Sequence, residues 1–373
     1  MMSLKVVDAE SGSAHRDFIG LPWAINRDDP YWVPPLRREV AKLLSLKHPF
    51  FQHAERKLFL VKDGEQPVGR IAAIINHNHN RFHDEKAGFF GFFEAFPDPG
   101  ISSVLFAAAE GWLRGKGAEF VMGPMNPSTN EECGLLVDNF MSSPLVMMTY
   151  NPPYYMDLIE DAGYAKAKDL YAYSFNTPRT IPPRLEKLTK RIEKREKDLV
   201  TRPVDMKRFA REIEVVKAIY NDAWEKNWGF VPMTDAEMDQ MAKDLKPIIV
   251  PELTILAFIG DEPAGFIMSL PDYNQVLKVL DGRMTPWGVF RAIRAAKRIR
   301  TGRCITLGVR EKFRKRGLEA PLFAATLRAG IEKGYRYGEF SWILEDNTLV
   351  NETINKVFSA THYKTYRIYR KDL

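Results

Sequence analysis

The chain has 373 residues, 45% of them hydrophobic, and a net charge of +6. That length suits two cores better than one, and the positive balance favours an anionic partner (a phosphate-bearing cosubstrate, a lipid surface or nucleic acid) without choosing among them. The only cysteines, Cys133 and Cys304, support neither a disulfide framework nor a cysteine zinc site, and no run of about 18 apolar residues offers a membrane span.

The opening MMSLKVVDAESGSAHRD lacks the apolar core of a signal peptide. The expectation is therefore a cytoplasmic protein, with the inner membrane as a surface on which it can dock. KLFLVKDGEQPVGRIAAIINH (57–77) predicts a β-hairpin turning at Asp63-Gly64. AGFFGFFEAF (87–96) is a strand, ISSVLFAAAEGWLRGKG (101–117) a helix after the turn residues 97–100, and AEFVMGPMN (118–126) a strand. A helix near 153–162 and a strand over 164–175 close this half.

The second half repeats the order. ELTILAFIGDEPAGFIMSL (252–270) is a hairpin turning at Gly260-Asp261, and CITLGVRE is a strand. A helix over 319–334, a strand over 337–347, a helix near 349–358 and a strand over 362–370 follow. Leu105-Phe106-Ala107-Ala108 matches Leu322-Phe323-Ala324-Ala325, Lys116-Gly117 matches Lys333-Gly334, and Asn126 corresponds to Asn347. A constant spacing of about 220 residues marks a duplicated domain. The predicted fold class is α/β, a mixed α+β sheet, in two tandem domains: 1–176, and 204–373 with an insertion at 274–303. Between them, 177–203 reads as a solvated linker helix rich in lysine, glutamate and arginine.

In CITLGVREKFRKRGLEAPLFAATL, five cations (Arg310, Lys312, Arg314, Lys315, Arg316) crowd round Gly317 between a strand and a helix. A glycine loop feeding a helix N-terminus cradles anions, because first-turn N–H groups point outward and the helix dipole adds positive charge. The plain alternative is a basic surface turn. This stretch resembles the acyl-CoA-binding motif of the GNAT acyltransferase superfamily, with Arg314, Gly317 and Leu318 matching and Glu319 standing where a small residue is usual. GFFGFFE, GPMNPSTNEECGLL, YNPPYY, SWILEDN and HYKTYRIY together resemble a bacterial tandem-GNAT family that includes the bacterial ceramide synthases. Ser359 departs from that pattern, where a glycine is expected.

The resemblance implies an acyl thioester, acyl-CoA or acyl-ACP, as cosubstrate, and no metal. Its binding residues would be Leu307, Gly308, Val309, Arg314, Lys315, Arg316, Gly317, Leu318 and Asn347, with a backbone N–H of Gly308 or Val309 facing the thioester oxygen. The first half's equivalent loop, FPDPGISS, has Gly100 and no arginine, so the cosubstrate is expected in the second half only. Amine acylation also needs an acceptor for the amine proton. Glu345, at a strand end, is the candidate, its alternative role being part of a helix cap with Asp346 or Asn347. Tyr366 is the candidate proton donor. Asn126, Asn130, Glu131, Tyr150 and Asn151 suit recognition of an amino-alcohol head group, though such residues also serve ordinary turns. His77, His79 and His83 read as an exposed polar loop.

The insertion places Trp287, Val289, Phe290, Ile293 and Ile299 among six cations between Arg291 and Arg303, with no acid intervening. At helical spacing, 286–300 is the pattern of a helix lying on an anionic membrane surface. The favoured function is N-acylation of a long-chain, sphingoid-base-like amine. Acetylation of a small polar amine, an acyl-CoA sensor and a nucleic-acid-binding regulator are the rivals. No helix-turn-helix signature supports the last, so no nucleic acid is expected.

Overall fold

The computed structural model describes residues 3–373. The chain divides into two compact units. The first comprises residues up to Leu170, with Val276–Ala295 and Lys364–Leu373; the second comprises Tyr171–Gln275 and Ala296–Tyr363.

In the first unit, β1 (Leu4–Asp8), β2 (Ala54–Asp63), β3 (Gln66–Asn76) and β4 (Ala87–Ala95) pair antiparallel in sequence order. The expected turn at Asp63-Gly64 is there, with Gly64 at φ +58°, a conformation glycine adopts without strain. Helix α1 (Pro99–Gly115) crosses to β5 (Phe120–Gly123), which runs parallel to β4. Alternate residues of β3 and β4 face α1, so Ile71, Ala73, Phe90 and Phe93 meet Leu105, Phe106 and Leu113 in one core. Each such fully buried aliphatic or aromatic side chain contributes about 1.5–3 kcal/mol. Helix α2 (Tyr155–Asp161) packs on the same core.

In the second unit, α3 (Pro183–Arg195) precedes the edge strand β7 (Leu199–Pro203), numbered after β6 (Ala165–Asn176), which has residues in both units. The segment expected as a solvated linker thus forms part of a core. Leu185 and Ile192 lie two turns apart on one helical face and are buried, and β7 pairs with β8 (Thr254–Ile259). Helix α4 (Phe209–Trp224) covers one sheet face. β9 (Glu262–Pro271) pairs with β8 through a turn in which Gly260 has φ +60°.

Helices α5 (Asn274–Leu280) and α6 (Pro286–Ala296) form the predicted insertion, yet most of it belongs to the first unit. Gly282, at φ +74°, lies flat on the Trp23 ring, whose indole N–H donates to Asp281 at 3.0 Å, and the Arg37 guanidinium stacks 3.7 Å from the same tryptophan. Then come β10 (Thr301–Val309), α7 (Glu319–Glu332), β11 (Tyr337–Leu344), α8 (Thr348–Phe358) and β12 (Thr361–Asp372). Beyond Tyr363, β12 joins the first unit, pairing Tyr369 with Gly123 of β5. Ser359 caps α8 at φ +51°, which explains why glycine is the usual residue there. No helix among the described residues is long and apolar enough to cross a membrane.

One buried histidine makes the first unit's stability pH-dependent. Burial holds the His79 imidazole down at about 4 from its ordinary 6.5, outweighing the nearby Glu85 carboxylate at 2.5 Å. The unfolded chain protonates this ring near 6.5, so the stabilisation is complete above that pH and is lost as pH falls towards about 4. Urea unfolding at about pH 7 and about pH 5 should therefore show wild type losing more stability than His79→Gln; equal losses would remove His79 as the cause.

Candidate active site

The second unit contains a fork. β10 and β11 run parallel and pair from Thr301↔Tyr337 to Cys304↔Phe340, but β10 continues to Val309 and β11 to Leu344. On its other edge β10 pairs with β9 with a slip at the same level, from Met268↔Thr306 to Ser269↔Cys304, leaving Ile305 as a bulge. A bulge bends its strand and sharpens the local twist, so it turns β10 away from β11. Ile305, Thr306 and Leu307 are half-exposed, as strand residues are when one neighbour is missing.

The sequence-predicted loop follows β10. Gly317 has φ +78°, and a Cβ there would sit 2.9 Å from the Ile192 side chain. Leu318, fully buried, occupies the N-cap of α7 and provides no side-chain cap; the Ala320 N–H bonds the Gly317 carbonyl at 3.1 Å and Pro321 has no N–H, which leaves the Glu319 N–H at the helix start. Most of the surrounding cations have partners. Arg310 pairs with Asp222 at 3.1 Å and Glu262 at 2.8 Å, and Lys312 pairs with Glu262. Arg314 donates to the carbonyls of Ala223 at 2.8 Å and Asp222 at 3.2 Å, tying the loop to the end of α4, and Arg316 lies 3.3 Å from Glu196. Lys315 is exposed and makes no ion pair among the described residues. Gly308 lies against the Trp224 ring, while Leu307 and Val309 turn to the α7 face. Asn347 caps α8 by accepting from the Val350 N–H at 3.4 Å, and Glu345 is half-exposed just past the end of β11.

Sequence reasoning missed a buried polar cluster beside the fork. Arg303 and Glu339, each 2% exposed, lie directly opposite one another in the last paired stretch. Ser341, one step past the pairing, and Tyr363 both donate to the Glu339 carboxylate. Arg303 donates to the Ser341 hydroxyl at 2.8 Å and its carbonyl at 3.0 Å. Tyr363 is half-exposed, so a phenol that solvent can reach is joined to a carboxylate that it cannot. The available signal was Glu339 and Ser341 alternating in an apolar strand. Tyr366, expected as the proton donor, is wholly buried in the first unit, opposite Leu136. Burial pushes the Cys304 thiol up to about 11, so it is a protonated wall residue rather than a nucleophile.

The first unit has the same fork, filled by its own chain. β4 pairs with β5 only to Phe89↔Met122, and β4 slips against β3 near Phe92, which has φ +50°. Asn126 accepts the Phe92 N–H at 2.6 Å, and Met125 lies so close to Gly91 that no Cβ would fit. At the helix equivalent to α7, Asp98 accepts from the Gly100 N–H at 2.7 Å, placing a carboxylate where an anion would bind. The other residues expected to recognise a head group also hold backbone or side chains in place. Asn151 brackets Leu136, accepting its N–H at 2.8 Å and donating to its carbonyl at 3.2 Å. Tyr150 donates to Asp29 at 2.7 Å, and burial with that carboxylate raises its phenol pKa. Glu131 accepts from Ser128, whose hydroxyl also receives the Asn130 N–H at 3.1 Å. Among the described residues no three His, Cys, Asp or Glu side chains gather as a metal site.

No family model matches the chain. It is 38% identical over 378 residues to the bacterial ceramide synthase of Caulobacter vibrioides, spanning 99% of this chain and 98% of that protein. The chain belongs to the bacterial ceramide synthase family. It is an N-acyltransferase with tandem GNAT architecture. Protein YghO of Escherichia coli is 34% identical over 364 residues, 95% of this chain and 92% of its own. Among solved structures, a tandem GNAT protein from the clavulanic acid biosynthesis pathway matches with TM-score 0.57 at 12% identity, over 99% of this chain and 98% of that one. A GCN5-related glucosamine N-acetyltransferase region of a fungal multidomain β-N-acetylglucosaminidase matches with TM-score 0.61 at 13% identity; this chain spans 38% of that protein. Both structures share the fold.

The loop geometry sets a stability test. An L side chain in the left-handed region costs about 1–2 kcal/mol. Gly317→Ala should lose about that much in urea unfolding, whereas Lys315→Gly, relieving φ +64°, should gain up to about 1 kcal/mol. The opposite signs would show that the loop does not hold these dihedrals in solution.

Proposed function

We propose that the protein transfers an acyl group from an acyl thioester, carried by CoA or acyl carrier protein, to the amine of a long-chain lipid resembling a sphingoid base. The observation behind it is the contrast between two equivalent helix N-termini. In the first unit the Asp98 carboxylate covers that of α1; in the second, that of α7 has no side-chain cap and lies beside Gly317 and Lys315. The pyrophosphate of a donor would bind at Gly317, Leu318 and Lys315, with Arg314 and Arg316 holding the loop. The pantetheine arm would lie in the fork along Leu307–Val309, and Asn347 would remain the cap of the adjoining helix.

The amine nitrogen attacks the thioester carbon, the C–S bond breaks and the thiolate leaves with its electron pair. Backbone N–H groups of Gly308 or Val309 offer hydrogen bonds to the charge that develops on the thioester oxygen. The nitrogen's proton passes to the Tyr363–Glu339 pair, with Glu345 at the strand end as the second candidate acceptor. The ceramide synthase relative supports the lipid acceptor, and so does α6. Its residues Trp287 (71% exposed), Phe290 (50%) and Ile293 (55%) form an outward apolar stripe, flanked by the exposed Arg291, Arg294, Lys297 and Arg298. Each basic side chain adds about 1 kcal/mol of attraction near anionic lipid, so this helix would hold the enzyme at the inner-membrane surface where its acceptor resides.

The deciding assay is thiol release from acetyl-CoA and palmitoyl-CoA, with sphinganine in micelles or a polyamine as acceptor. Release from palmitoyl-CoA with sphinganine, and an amide by mass, is expected; release only with acetyl-CoA and polyamine would reject the lipid acceptor. Tyr363→Phe should lower kcat by about 10²-fold at unchanged KM for the donor, whereas full activity in this variant and a loss in Glu345→Gln would transfer the role to Glu345. Co-sedimentation with vesicles containing anionic phosphatidylglycerol should fall sharply in a Trp287→Ala, Ile293→Glu variant. Undiminished binding would mean that α6 is not the docking element.

A further inference from the structure

A half-open, mostly apolar cavity lies in the second unit. Its wall is mostly carbon: Phe175, Phe323, Phe340, Phe358, Leu253 and Leu327. Cys304 and Phe340 also line it. They are the last residue pair before β10 and β11 separate, so the cavity begins where the fork closes. Gly302 and Gly338, two residues earlier on the same sheet face, continue its floor.

Protein interiors are packed to crystal density, and a buried glycine is normally crowded. Gly330 of α7 is different: it is buried, lines this cavity, and has no atom within 4 Å of where a Cβ would stand. The hollow is therefore built into the helix, and nothing in the second unit fills it. Its wall offers no charged partner for a head group except Glu339, whose carboxylate is already engaged by Ser341 and Tyr363.

We propose that this cavity holds the alkyl chain of the acyl donor and selects its length, a site that rests on the acyltransferase function proposed above. The same helix would then serve both ends of one molecule. Its N-terminus meets the donor's phosphates, and its C-terminal half, Leu327 and Gly330, roofs the chain about 12–17 Å away at 1.5 Å per residue. Arg303 alternates with the cavity-lining Gly302 and Cys304 and so faces away from α7, while Glu339, bonded by Ser341 and Tyr363, borders the cavity.

The test is calorimetric binding of CoA, acetyl-CoA, octanoyl-CoA and palmitoyl-CoA to wild type, Gly330→Leu and Gly302→Val. The two variants fill the cavity from opposite walls; at Gly302 a Cβ meets its nearest neighbour at an ordinary 3.4 Å. Because each buried methylene adds about fourfold to affinity, wild type should bind palmitoyl-CoA far more tightly than acetyl-CoA. Both variants should lose at least tenfold of that advantage while binding CoA itself as before. Chain-length preference unchanged in both, with folding confirmed by circular dichroism, would overturn the proposal. So would a variant whose donor preference is intact but whose turnover shifts from long to short acceptor amines, since the cavity would then belong to the acceptor. Binding does not require turnover, so an inactive wild type that still binds palmitoyl-CoA through this cavity would refute the reaction and leave the site standing.

Discussion

The point on which the second unit depends is the level at which two parallel strands stop pairing. After Cys304↔Phe340 the ladder of β10 and β11 ends, and on the other edge of β10 the bulge at Ile305 falls at that same level. A parallel sheet is ordinarily paired throughout, because buried N–H and C=O groups without partners are costly. A fork survives where something else can use those groups. Here the opening leads on one side to a glycine loop and a helix without a side-chain cap, and an apolar cavity bordered by a buried carboxylate lies at its closed end. These features share one origin: a strand that turns away from its neighbour exposes backbone, opens space beneath the covering helix and brings the next side chains to an edge.

The duplicated half shows what happens when the same geometry is closed. Two polar side chains do most of it. Asn126 accepts the Phe92 N–H inside the fork, and Asp98 accepts from the Gly100 N–H at the helix start. Each supplies internally what an incoming ligand would supply in the other unit. Two units with one order of elements thus differ in hydrogen bonds at corresponding places. The first unit also receives the insertion, clamped through Gly282 on Trp23, and the last strand, clamped by the Arg367–Asp169 pair at 2.9 Å.

How much could be read beforehand follows from the range of the interactions involved. Hairpins, the strand–helix–strand order of both halves and the cationic glycine loop were legible, because periodicity and turn residues act within a few positions. The stretch 177–203 was misread because its charge count hid two well-placed apolar residues, Leu185 and Ile192, which suffice to fix a helix against a sheet. The basic character of the loop was legible as composition, but Arg310, Lys312, Arg314 and Arg316 are engaged by Asp222, Glu262, Ala223 and Glu196, and none of those partners is local. Arg303 was counted among the insertion's surface cations and is in fact buried opposite Glu339.

By itself, then, the sequence determined the order of elements, the duplication, the place of the cationic glycine loop and the family, since each is written in local pattern or in strings of residues. The tertiary structure alone decided which fork is open, which polar residues meet beside it, and to which unit the insertion and the closing strand belong. Those outcomes depend on strand register and on the packing of distant segments. A shift of one residue in register would send Arg303 and Glu339 to the other face of the sheet, and no spacing along the chain encodes that choice.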